Sequence, residues 1–189
     1  MKIIMKSVKL LFFMTVLTGL IYPVFIFLIA KITFPNKSAG SFVEINGNIV
    51  GSELIAQKFD SSIYFQPRPS AIDYQPMPSG ASNLGPTSQK LKDISDSLRN
   101  TYIIKNGLPV NTNVPSDAIF ASGSGIDPHI SLENAILQTN RVSKARKFDS
   151  VKNQKLKELI NKLIEPPQLG ILGEQRINVL TLNIELDKL

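Results

Sequence analysis

Residues 10–30 read LLFFMTVLTGLIYPVFIFLIA, twenty-one positions without a charge. As a helix this run rises about 31 Å, the thickness of a bilayer's hydrocarbon core. Fourteen of its residues are Leu, Ile, Phe or Val, and together they favour insertion by about −4 to −8 kcal/mol. That outweighs Thr15, Thr18, Gly19 and Pro23. The run is too long for the apolar region of a cleaved signal peptide, and Ile29-Ala30-Lys31 is a poor cleavage site. With no polar face around it, a core helix is a worse reading still. A retained signal anchor is expected, with Gly19 and Pro23 as candidates for a helix-packing face or a simple kink.

The flanks predict orientation. Lys2, Lys6 and Lys9 precede the run without an acid, whereas Lys31 and Lys37 follow it and are soon joined by Glu44. This favours a cytoplasmic N-terminus over 1–9, a transmembrane anchor over 10–32 and a single extracytoplasmic domain over 33–189. The net charge of +6 changes meaning accordingly. Without the four lysines of the anchor region the remainder carries only +2, so nucleic-acid binding loses its main support. The absence of cysteine excludes disulfides, thiolate metal sites and thiol catalysis.

The remaining residues, about 155, suffice for one core. EINGNIVG (44–51) predicts a hairpin around Asn46-Gly47-Asn48. Ser52 is expected to cap a short helix over SELIAQKF (52–59). The stretch 64–88 holds five prolines and no usable period, and is read as an ordered surface loop. Helices are expected over 88–101, 131–147 and 150–164, the last stopped by Pro166-Pro167. RINVLTLNIEL (176–186) alternates with Leu180, Leu182, Ile184 and Leu186 on one face, which predicts a strand. The fold class expected is α+β, behind one membrane helix.

ASGSGIDPHIS (121–131) contains the only histidine, His129. Gly123 and Gly125 offer permissive torsions, Pro128 fixes a turn, Asp127 can bond neighbouring amides, and Ser131 can cap a helix. A shaped helix entry, doubling as contact surface, explains the residues better than catalysis. Ser122 or Ser124 with His129 and Asp127 would make a hydrolase only if residues so close in sequence met in triad geometry, and the G-x-S-x-G pattern is missing. No phosphate-binding motif is present, and one histidine with Asp127 makes a poor metal site. Arg68, set between two prolines, suits a structural donor to carbonyls or an acid. The alternatives are a membrane-anchored extracytoplasmic hydrolase and a ligand-binding module.

Several stretches carry a resemblance: GSELIAQ (51–57), YFQPRPS (64–70), SGASNLG (79–85), VPSD (114–117), ASGSGIDPHIS, QTNRVSKAR (138–146) and LGILGEQRINVLTLN (169–183). With the anchor they cover nearly the whole chain in order, and the chain resembles the C subunits of Kdp-type potassium-transporting ATPases. It departs from them at Ala56 and Ala81, where that family usually has glycine, and at Ser143, where it has alanine. The resemblance implies a non-catalytic subunit of a bacterial cytoplasmic-membrane pump. Its partners would be a channel-like A subunit that carries K⁺, a P-type B subunit that hydrolyses ATP and, in some complexes, a small single-span subunit. The C subunit would be required for assembly and act as a catalytic chaperone on ATP affinity, with its outer domain over the potassium entrance. ATP and Mg²⁺ would belong to the B subunit, so an outward domain implies an indirect effect. Candidate partner contacts are Tyr64, Phe65, Arg68, Ser82, Asn83, Asp127, His129 and Arg141.

Overall fold

Helix forms through the uncharged run and past both of its ends. The structure, a computed structural model, describes residues 2–189. By its contacts the chain falls into a first unit up to Val50 and a second from Gly51.

In the first unit, α1 (Lys2–Val16) passes through a π-helical turn (Leu17–Ile21) into α2 (Tyr22–Thr33). The 32 residues form the one helix among those described that is long and apolar enough to cross a membrane, and none of its apolar window is buried in protein. A core helix would be buried, so that alternative falls. The π turn ends two residues before Pro23, which lacks the N–H that would bond the Gly19 carbonyl, and the Tyr22 N–H reaches back to the Leu17 carbonyl. Thr15 and Thr18 donate their hydroxyls to the carbonyls of Leu11 and Met14 at 2.8 and 2.7 Å, which satisfies both threonines within the helix. After a single turn, α3 (Pro35–Ser38), strands β1 (Phe42–Ile45) and β2 (Asn48–Ser52) pair as a hairpin. Asn46 and Gly47 turn it at φ 53° and 77°, the left-handed pair a two-residue hairpin needs.

The second unit is helical with one small sheet. Its elements are α4 (Gln89–Asn106), α5 (Ser116–Ile119), β3 (His129–Ser131), α6 (Leu132–Ala145), α7 (Ser150–Lys162), β4 (Arg176–Asn178) and α8 (Val179–Leu186). Local chemistry sets the helix starts: the side chains of Ser88, Ser131, Asp149 and Asn178 each accept a first-turn N–H. Gly107, at φ 62°, closes α4 five residues beyond the predicted Thr101. Strands β3 and β4 pair antiparallel with Ile130 opposite Ile177. The core gathers Ile130, Ala135, Val142, Leu156, Ile160, Ile177, Val179, Leu182 and Leu186 around Phe65. A smaller cluster of Ile103, Val114 and Ala118 joins α4 to α5.

Two sequence expectations are overturned. Ser52 caps no helix: it ends β2, and its hydroxyl accepts the Leu54 N–H at 3.1 Å. Backbone groups that a helix over 52–59 would use are bonded elsewhere, the Ala56 N–H to the Ile126 carbonyl at 2.9 Å and the Glu53 carbonyl to Asn178 Nδ2 at 2.8 Å. The strand predicted over 176–186 lasts only to Asn178. Its partner β3 is three residues long, and Asn178 then caps α8, which buries Val179, Leu180, Leu182, Asn183 and Leu186 on one helical face. An apolar pattern at 180, 182 and 186 suits both periods, and the cap decides between them. The long loop over 64–88 does lack helix and strand.

Candidate functional site

The proline loop and the ASGSGIDPHIS turn are folded onto one another. Ser70 donates its hydroxyl to the Gly125 carbonyl at 2.7 Å, and the Gly80 N–H bonds the Ser124 carbonyl at 3.0 Å. Gly125 sits at φ 73°, where a Cβ would meet Ile72 Cγ1 at 2.5 Å and the Gly80 carbonyl oxygen at 2.7 Å. Only glycine fits there. Gly123 has no such torsion, so the permissive role expected of both glycines belongs to Gly125 alone.

This interlock aims Arg68 at Asp127, with Nη1 donating to Oδ2 at 3.0 Å. Asp127 Oδ1 accepts the His129 N–H at 3.0 Å and faces His129 Nδ1 at 3.2 Å. Across the ring, His129 Nε2 lies 3.7 Å from Glu165 Oε1, and Glu165 Oε2 accepts from Arg176 Nε at 2.9 Å. Arg68, Asp127, His129, Glu165 and Arg176 thus form a row of alternating groups, and all of them but Glu165 line an open cleft of about 840 Å³. Burial pushes the Asp127 carboxyl up, but the ring and backbone N–H of His129 and the Arg68 guanidinium outweigh it and hold the carboxyl below its ordinary value.

The same row removes the hydrolase geometry. Both imidazole nitrogens face carboxylates, while the hydroxyls of Ser122 and Ser124 accept the N–H groups of Asp127 and Ile126 at 3.4 and 3.2 Å. No nucleophile–base pair is assembled from these residues. Among the described residues no group of three or more His, Asp or Glu is placed to hold a metal ion.

The start of α6 forms another wall of the cleft. Asp117 Oδ2 accepts the Ser131 N–H at 2.8 Å and Asn134 Nδ2 at 2.9 Å, and Oδ1 accepts the Ser131 hydroxyl at 2.9 Å. Behind it, Gln138 accepts the Gln66 N–H at 2.8 Å and donates to the Gln66 carbonyl at 3.1 Å. Arg141 spends its donors inward, on Asn106 Oδ1, the Ser62 and Tyr64 carbonyls and Gln138 Oε1, at 2.7–2.9 Å. Burial lowers its pKa, and burial likewise raises that of the Tyr102 phenol, which donates to Asn134 Oδ1 at 2.8 Å. Tyr64 stacks under Arg146, with the guanidinium carbon 5.0 Å from the ring centroid, and donates to Asp187 Oδ2 at 3.0 Å.

A protein-family comparison matches residues 4–188 to KdpC, the c chain of K⁺-transporting ATPases. The chain belongs to the KdpC family. Among its relatives, a Potassium-transporting ATPase KdpC subunit of Leptospira interrogans is 46% identical over 187 residues, covering 99% of this chain and 94% of the relative. The KdpC subunit of Geotalea uraniireducens is 44% identical over 194 residues, with 98% and 99% covered, and that of Mycobacterium bovis 38% over 188, with 98% of each.

The expected contact residues of this KdpC-family chain fall into three groups. Arg68, Asp127 and His129 meet at the cleft, as half-buried side chains. Ser82 and Asn83 are exposed on the proline loop, Asn83 at φ 53°. Phe65 and Arg141 are buried at 0% and 7% exposure, with Tyr64 half-buried beside them; in this chain they build the core under the loop. Gly19 and Pro23 lie in the membrane helix at the π turn. Sequence reasoning missed Asp117, Glu165, Arg176, Gln138 and Asn183. Only VPSD, Asp117's own stretch, carried a motif signal for an acid, and nothing local pairs Glu165 with His129.

Proposed function

We propose that this chain is the non-catalytic accessory subunit of an ATP-driven potassium uptake pump. In this reading the N-terminal helix anchors it in the bacterial cytoplasmic membrane, with the N-terminus inside and the domain outside. The observation that carries the reading is the KdpC match along residues 4–188, anchor included. The lysine excess before the apolar run supports the orientation.

The partners are then a channel-like A subunit, a P-type B subunit and a small single-span subunit, alongside membrane lipid. The domain covers the potassium entrance of the A subunit and is needed for assembly. The cleft row, with its charges paired within the chain, suits a fixed contact surface better than a turnover site. Ser82 and Asn83 on the loop, and Arg68, Asp127 and His129 at the cleft, are the contact candidates. ATP and Mg²⁺ stay with the B subunit across the membrane, so the catalytic-chaperone effect on ATP affinity travels through subunit coupling.

Topology tests this most directly. Single cysteines at Ser88 and Ser7, in a chain with no native cysteine, are offered a membrane-impermeant maleimide in intact cells. Labelling only at position 88 is expected. Labelling only at position 7 would put the domain in the cytoplasm and make direct ATP contact the leading mechanism.

A further inference from the structure

The stretch 165–176 leaves the second unit as a closed hairpin. Its base is an antiparallel rung, with the Glu165 N–H bonded to the Arg176 carbonyl at 2.8 Å and the Arg176 N–H to the Glu165 carbonyl at 3.1 Å. The ion pair between the same two side chains backs this rung. A second rung joins Gln168 and Leu172 at 2.8 and 2.9 Å and leaves Leu169-Gly170-Ile171 as the tip. Pro166 and Pro167 stiffen the ascending arm.

The chemistry of this tip is wrong for a free surface. Leu169, Ile171 and Leu172 are 89%, 81% and 56% exposed. Leu169 is also held at φ 54°, a left-handed torsion that disfavours a bulky side chain by about 1–2 kcal/mol. Glycine would adopt it freely. The turn sets the torsion, since Leu169 and Gly170 repeat the left-handed pair of Asn46 and Gly47, but an exposed leucine side chain adds nothing to that turn and suits a contact outside the chain.

We propose that the 165–176 hairpin is a docking knob, whose Leu169, Ile171 and Leu172 insert into an apolar socket on another subunit of the ATPase. The proposal rests on the accessory-subunit reading above and does not depend on which side of the membrane the domain occupies. Charge selects a protein socket over a lipid surface. Between Pro166 and Gln175 the only charged residue is Glu174, and there is no lysine, arginine, tryptophan or tyrosine. An anionic bilayer would repel the acid, and the usual basic and aromatic interfacial anchors are missing. A second copy of this chain is told apart by the measurement below, because self-association would protect position 169 in the chain expressed alone.

Accessibility of a Leu169→Cys variant tests the knob. The full chain is expressed alone and with its partner subunits, in membranes opened so that a small maleimide reaches both faces, and the label is read on this chain. Position 169 is expected to react in the chain alone as readily as a Ser88→Cys control, and at least about tenfold more slowly in the complex. Reaction at equal rates in both would overturn the proposal. So would protection in the chain alone, which means lipid burial or self-association. If the chain does not co-purify with the partners at all, the subunit reading falls and takes the knob with it. If it co-purifies while position 169 stays reactive, only the knob falls.

Leu169→Gly supplies the second measurement, because it removes the side chain and relieves the torsion together. The free chain is expected to melt at the same temperature or higher while recovery of the complex drops about tenfold. A lower melting temperature with undiminished complex would make Leu169 structural and end the proposal.

Discussion

Asn183 holds the backbone of Phe65 from both sides. Its Oδ1 accepts the Phe65 N–H at 2.8 Å and its Nδ2 donates to the Phe65 carbonyl at 2.9 Å, as a neighbouring strand would. Gln138 does the same for Gln66. Two side-chain amides therefore stand in for a sheet edge, and they fix an irregular loop while burying Phe65 completely.

Asn183→Asp keeps the acceptor but turns an oxygen toward the Phe65 carbonyl. At neutral pH it should cost about 2–4 kcal/mol, because a buried charge and an orphaned carbonyl arise together. Urea unfolding of the full chain in detergent measures it. A loss below half a kcal/mol would mean the amide pair does not hold the loop.

Arg141→Ala removes the donor to the acceptors on Ser62, Tyr64 and Asn106 at once, and one of the two donors to Gln138 Oε1. About 3 kcal/mol or more is expected, a fall in melting temperature of roughly 6–12 °C. Protease cutting within 62–66 should accelerate as the loop frees itself.

Asp127 gives a pH signature. Its folded-state pKa is depressed, so its contribution is fully present above the ordinary carboxylate range. It is lost as pH falls from about 4 through the lower folded value. Asp127→Asn should be less stable than the parent at pH 7, and the gap should narrow as pH falls below the ordinary carboxylate range. A gap of constant size across a melting series from pH 7 to 2 would assign the difference to packing instead of charge.

Nothing lies within 4 Å of a Cβ placed on Gly19. Gly19→Leu should leave the amount of membrane-inserted chain unchanged. If Gly19 forms a packing face in the assembled pump, recovery of the complex should fall about tenfold, as expected where small residues let helices approach. Equal recovery would leave the π turn as the site's whole role.

The anchor, the starts of α4, α6 and α7 and the hairpin at Asn46-Gly47 were legible because each is decided within a few residues. An uncharged run, a capping side chain or an Asn-Gly pair acts without waiting for the rest of the chain. For Arg68 the sequence left carbonyls or an acid as acceptor, and only the folded loop shows which, Asp127. The helix expected after Ser52 failed because its backbone groups are taken by Ile126 and Asn178, distant in sequence.

Family membership and a membrane anchor were thus written in local order, along nearly the whole length. The tertiary structure alone decided that Asn178 ends a strand and starts a helix, that Glu165 and Arg176 extend the row begun by Arg68, Asp127 and His129, and that Phe65 and Arg141 face inward. Each of those outcomes depends on groups brought together from far apart along the chain, and sequence periodicity carries no term for such a pairing.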